Sequence, residues 1–135
     1  MGPSFDRLLD YDRWANQRWL PIVESNDALR PIFSHILNAQ AIWFRRVADP
    51  DFSLPEAFSD QIDSNHAAWK SILPNRDLTE VIHYRNLAGV PHECPFGEIL
   101  MHVINHGTYH RGQLREMAPD AFLDTDYVMF ALGLE

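Results

Sequence analysis

The sequence predicts an all-α fold, a four-helix bundle with a short extra C-terminal helix and a small hairpin before the last long helix. Three observations predict it. Four stretches carry apolar side chains at helical spacing over roughly twelve to twenty residues each. Three of these stretches stop at a proline. A single intervening segment is instead rich in β-branched and aromatic residues followed by Gly and Pro.

The first helix runs over about 4–24, with Phe5, Leu8, Leu9, Ala15, Trp19, Leu20 and Val23 on its apolar side, Ser4 placed to cap it and Pro21 placed to kink it. The second covers about 28–48, where Ile32, Phe33, Ile36, Leu37, Trp43, Phe44 and Val47 recur before Asp49-Pro50. A weaker pattern at about 58–73, with Ile62, Trp69, Ile72 and Leu73, ends at Pro74-Asn75. In 78–95, Val81, Ile82 and Tyr84 followed by Gly89 and Pro91 suit a short hairpin or an irregular crossover. The longest pattern begins at Pro95 and reaches about Met117, with Phe96, Ile99, Leu100, Val103, Leu114 and Met117 on one face and Ala118-Pro119 as the stop. A short helix over about 124–132 closes the chain.

With 135 residues and no linker-like stretch, 1–135 is read as a single domain. The formal charge of −8, with ten Arg and the single Lys70 scattered along the chain, argues against nucleic acid as a partner. One cysteine, Cys94, leaves no intramolecular disulfide to form, which fits a reducing cytoplasm. No run approaches a membrane span, and the N-terminus lacks a basic segment followed by an apolar one, so no membrane partner is expected.

Seven histidines occur, three of them at 102, 106 and 110 in His102-Val-Ile-Asn-His106-Gly-Thr-Tyr-His110-Arg-Gly-Gln113. Side chains four apart on a helix leave the same face and can share one metal ion. The outer two are separated by about 12 Å of helix rise, so all three cannot serve one ion. Projection at about 100° per residue puts His110 inside the apolar sector, His106 at its near edge and His102 further round, which selects His106 and His110. A third ligand must come from another element. His66 and His83 have polar neighbours and His92 follows a proline, whereas His35 sits inside helix two near the edge of its apolar stripe and is the expected third ligand.

These residues carry a resemblance. Asn105-His106, three residues, then His110-Arg-Gly-Gln113 resembles the helix-four signature of the DinB-like (damage-inducible, YfiT/DinB-like) metalloprotein family. Tyr11-Asp-Arg-Trp14-Ala-Asn16 is similar to that family's first helix, His35-Ile-Leu-Asn-Ala-Gln-Ala-Ile-Trp43 to its second, and Asp124-Thr-Asp126-Tyr-Val to its closing segment. The resemblance implies a four-helix bundle of the DinB/YfiT-like type that binds a divalent ion, Zn or Ni first and Fe, Mn or Co otherwise, through His35, His106 and His110. It also implies a small-molecule substrate, a low-molecular-weight thiol being the family's example, and a homodimer.

Three neutral imidazoles leave the ion's charge intact and a coordination position open, the arrangement of a catalytic rather than a structural site. Water or a thiol placed there becomes acidic enough to act near neutral pH, so a thiol transferase or a hydrolase is expected, with a non-catalytic metal-binding stress protein as the rival. A HExxH protease is excluded because Gly107 follows His106. Asp12, Asn16 and Arg111 are the remaining catalytic candidates. Asp12 and Asn16 project together into the apolar face of helix one, where they either orient a ligand histidine or bond to a neighbouring element. Arg111 either binds a substrate carboxylate or, the favoured role, forms a structural ion pair. Gly107 and Gly112 inside helix four suggest close helix approach or room for a ligand. Cys94, with no evident base nearby, is read as a cap or core residue.

Overall fold

The computed structural model describes residues 4–133 and is mostly helical with one two-stranded sheet. Helix α1 spans Phe5–Glu24, and Ser4 caps it as expected, its hydroxyl accepting from the Arg7 N–H at 3.3 Å. Pro21 lies in its last turns, and the helix continues past it to Glu24. Helix two begins differently from its sequence pattern: Asn26 caps a short 3₁₀ turn, Asp27–Leu29, and only then does α2, Arg30–Val47, start with Pro31 in its first turn. Helix α3, Phe58–Ile72, runs into a 3₁₀ turn at Leu73–Asn75.

The segment before the last long helix is the hairpin form of the two expected alternatives. Strands β1, Val81–Arg85, and β2, Pro91–Pro95, pair antiparallel with Ile82 opposite Cys94 and Arg85 opposite Pro91. The Asn86 side chain accepts from the Ala88 and Val90 N–H groups, and Gly89 takes the left-handed conformation (φ 81°) that closes the turn. Helix α4, Phe96–Met117, follows directly with Pro95 at its N-cap. The last helix, α5, is shorter than its pattern, Tyr127–Ala131. Among the described residues no helix is long and apolar enough to cross a membrane.

Helix α4 packs on α2 and α1, and α3 packs on the other side of both α1 and α2. The buried apolar residues form two clusters. One gathers Leu9, Phe44, Trp69, Phe96, Ile99 and Val103 with Ile82 of the hairpin; the other gathers Trp19, Val23, Phe33, Leu37, Ile62 and Leu114. Between them, every long helix contributes a buried polar residue: Asp12 and Asn16 from α1, Gln40 from α2, Asn65 from α3 and Arg111 from α4. Arg111 Nη1 donates to Asp12 Oδ1 at 2.8 Å and to Asn16 Oδ1 at 2.9 Å, Gln40 Nε2 donates to Asp12 Oδ2, and Asn65 Nδ2 donates to the Leu37 carbonyl at 3.0 Å. A charge this deep is tolerable only because its partners replace water.

Beyond α4 the chain turns at Pro119–Ala121 and passes through Phe122, whose φ of 53° is left-handed, then crosses back to α1. There Tyr11 Oη donates to the Thr125 carbonyl at 2.7 Å and Trp19 Nε1 donates to Thr125 Oγ1 at 3.1 Å.

Candidate metal centre

The sequence spacing of His106 and His110 places both rings on the side of α4 that faces α2, and His35 meets them from α2. His35 Nε2 and His110 Nε2 each lie 3.2 Å from His106 Nε2. One ligand atom from each of the three rings falls within 4.8 Å of the others, and among the described residues no further His, Cys, Asp or Glu joins the group. Three imidazole nitrogens converging on one point suit a single cation in their midst.

The ring chemistry supports that use. Gln113, three residues past His110, directs its side-chain oxygen to His110 Nδ1 at 2.6 Å. That oxygen can only accept, so the ring proton sits on Nδ1 and the Nε2 lone pair is turned toward the cluster. Burial, with the neighbouring His110, His35 and His102 adding to it, pushes His106 down to about 4. Burial followed by His110 also holds His35 below the usual histidine range. His35 and His106 therefore stand neutral at pH 7, the form that ligates a metal. The donor set fits a divalent ion.

The approaches to the cluster differ on its two sides. On one, Trp43 packs edge-on against His102 at 5.4 Å and Tyr84 of the hairpin at 5.0 Å, with the Arg46 guanidinium 4.5 Å from the Trp43 ring. On the other, Ile32, Tyr109, Gly112, Gln113, Glu116 and Met117 line an open cleft of about 420 Å³, which none of the three histidines lines and which borders the cluster through Gln113, the partner of His110.

His102 stands outside the three-histidine group, its ring 5.5 Å from that of His106. The other histidines are elsewhere. His66 Nε2 is 2.7 Å from Asp10 Oδ1, His83 pairs with Glu93 on the exposed hairpin, and His92 contacts Asn86 and Tyr84. Asp12, Asn16 and Arg111 are joined to one another rather than to the histidines, which is the structural alternative for all three. Gly107 supports that pairing: a Cβ there would stand 2.7 Å from Asp12 Oδ1 and 3.0 Å from Arg111 Nη1. Gly112 has open space instead and lines the cleft. Cys94 does not cap α4, a place taken by Pro95; it is half-buried in β2 against the apolar core.

Sequence reasoning missed Gln113 as the partner of His110, although the i, i+3 spacing to a polar acceptor was there to be read. It missed the Trp43 and Tyr84 wall because Tyr84 comes from a hairpin whose docking no local pattern reports.

No curated protein and no solved structure gives a significant match to the chain. The model of the DinB family matches residues 9–121, which include all three clustered histidines and the buried Asp12, Asn16 and Arg111. The chain belongs to the DinB family.

Proposed function

We propose that this protein is a metal-dependent enzyme in which His35, His106 and His110 hold one divalent ion, Zn or Ni before Fe, Mn or Co, and in which a thiol or water is activated against a small electrophilic substrate. The observation that carries the reading is the three-nitrogen cluster with no fourth protein ligand among the described residues, set beside a cleft. When bound by three neutral imidazoles, the ion supplies Lewis acidity that lowers the pKa of water or of a thiol at its open position toward neutrality. The chain's own residues do the rest. Gln113 fixes the His110 tautomer, burial keeps His106 unprotonated, and Ile32, Tyr109 and Met117 offer apolar contact to a substrate in the cleft. The transferase or hydrolase reading, a single four-helix-bundle domain, a cytoplasmic location and a homodimer belong to the same proposal. The exposed Leu78, Met101 and Phe122 support the last of these.

One observation favours a second reading. The cluster ties α2 to α4, so a bound ion would also fix those helices in place, the role of a non-catalytic metal-binding protein. Elemental analysis of protein made without added metal, then assays of the Zn- and Ni-loaded forms with cysteine plus an aryl halide and with activated esters, separate the two. A rate above that of the free ion, lost on chelation and in His106→Ala, is expected. Stoichiometric metal with no such rate, and melting that drops on chelation, gives the second reading. Failure to bind any divalent ion removes both.

A further inference from the structure

The side of α4 opposite the histidines lines a second cavity, of about 280 Å³, walled by α1, by α4 and by the segment that returns after it. At about 100° per residue, Thr108, Arg111 and Arg115 fall across the helix axis from His106 and His110, so this cavity is not part of the metal cluster; Gly112, between the two faces, borders both this cavity and the cleft. Its floor is built from three side chains that are nearly inaccessible, Tyr11, Trp19 and Arg111. Tyr11 and Trp19 pin Thr125 of the returning segment, which fixes the wall that carries Asp124 and Asp126.

The charges lining it are complementary and form no ion pair with one another, although Asp124 Oδ1 accepts from the Asp126 N–H at 2.9 Å. Arg115 makes only a 3.4 Å contact to the Pro119 carbonyl, and neither Asp124 nor Asp126 has a cationic partner among the described residues. Arg115 and the two carboxylates share one cavity and still form no ion pair with each other. Beneath them, Arg111 spends Nη1 on Asp12 and Asn16, while its Nε is buried with no hydrogen-bond partner. That nitrogen is itself shut off from solvent, so Arg111 serves the cavity as part of its wall, and the cationic group open to a ligand is Arg115.

A simple anion entering this cavity would face Asp124 and Asp126, and a simple cation would face Arg115. A molecule carrying both charges satisfies both sets. We infer that the cavity is a second ligand site, distinct from the metal cluster, for a small zwitterion of amino-acid type: its carboxylate against Arg115, its ammonium against Asp124 and Asp126, and an apolar side chain on Tyr11, Trp19 and Leu123. The volume lies just below the range of drug-sized pockets, which suits a ligand of that size. The inference does not depend on the enzymatic reading of the histidines.

Titration of the full-length protein with L-phenylalanine and L-leucine, followed by amide chemical shifts, tests it. Saturable shifts are expected around Thr108, Arg115 and Thr125. N-acetyl-phenylalanine, which lacks the ammonium, and phenethylamine, which lacks the carboxylate, should each bind at least about tenfold more weakly, as loss of one charge-assisted contact implies. Arg115→Ala and Asp126→Asn, both at exposed rim positions, should cost a similar factor, and His106→Ala should change nothing. No saturation up to tens of millimolar, equal binding of a singly charged analogue, or loss of the shifts in His106→Ala overturns the proposal. The analogue comparison uses the unaltered protein, so it decides the matter even where a variant folds poorly.

Discussion

The two faces of α4 carry polar side chains of opposite character. On the face toward α1, Arg111 is spent on Asp12 and Asn16, and Gly107 makes room for the pairing. On the face toward α2, three ring nitrogens converge with no anion between them, and burial holds His106 unprotonated. The first arrangement has its principal partners inside the chain, and the second is completed by something from outside it. The difference teaches that burial alone does not mark a functional polar group; what marks it is whether the fold has already supplied its partner.

The largest expected effect tests the first face. Arg111→Ala leaves Asp12 buried without its cation and should destabilise the metal-free protein by about 3–5 kcal/mol in urea unfolding. Gly107→Ala forces the same pair apart and should cost about 1–3 kcal/mol, despite the better helix propensity of alanine. If either variant keeps its stability but loses metal, the pair serves the site and the contrast between the faces collapses.

Metal titration tests the second face. His35→Ala, His106→Ala and His110→Ala should each weaken binding by more than the roughly 100-fold that bounds an outer-shell partner, and Gln113→Leu should fall within about 10- to 100-fold. His102→Ala, which leaves the three-nitrogen group whole, should cost less than any of these. Should His102→Ala lose metal while His110→Ala keeps it, the ligand set is wrong.

The smallest effect is on pH dependence. Because His106 titrates near 4 in the folded chain but near its ordinary 6.5 when unfolded, the unfolded state takes up its proton first. The stability this ring contributes is complete above about pH 6.5, falls as the pH drops, and stops falling below about 4. Urea unfolding of the metal-free protein across that window should show a steeper loss than in His106→Ala, by up to about one proton taken up on unfolding. Equal slopes would mean that the ring is not desolvated.

Much of this was legible in the sequence because it is local. The four-residue spacing at 102, 106 and 110 and the apolar stripe of helix four select His106 and His110 without any structure, and Ser4 announces the start of α1. The cavity behind α4 was not legible, since Tyr11 and Trp19 meet Thr125 only after about a hundred residues of chain have folded back. The same holds for Asp12 and Asn16: their polar character on an apolar face was evident, while the identity of Arg111 as their partner is a fact of helix packing. Where α2 begins was misread because Asp27–Leu29 winds as a tighter 3₁₀ turn that no apolar periodicity distinguishes.

A histidine every four residues makes α4 a ladder with two nearly equivalent rungs, because sliding it one turn, about 5.4 Å, along α2 would offer His102 and His106 to His35 in place of His106 and His110. Apolar packing alone discriminates weakly against such a slip. The polar layer discriminates strongly, since the same slide would carry the Arg111 guanidinium one turn on to the exposed place of Arg115 and leave Asp12 buried without its cation. The buried pair thus sets the axial register of the helices and breaks the degeneracy of the ladder, so that a charge on one side of α4 decides which histidines meet on the other.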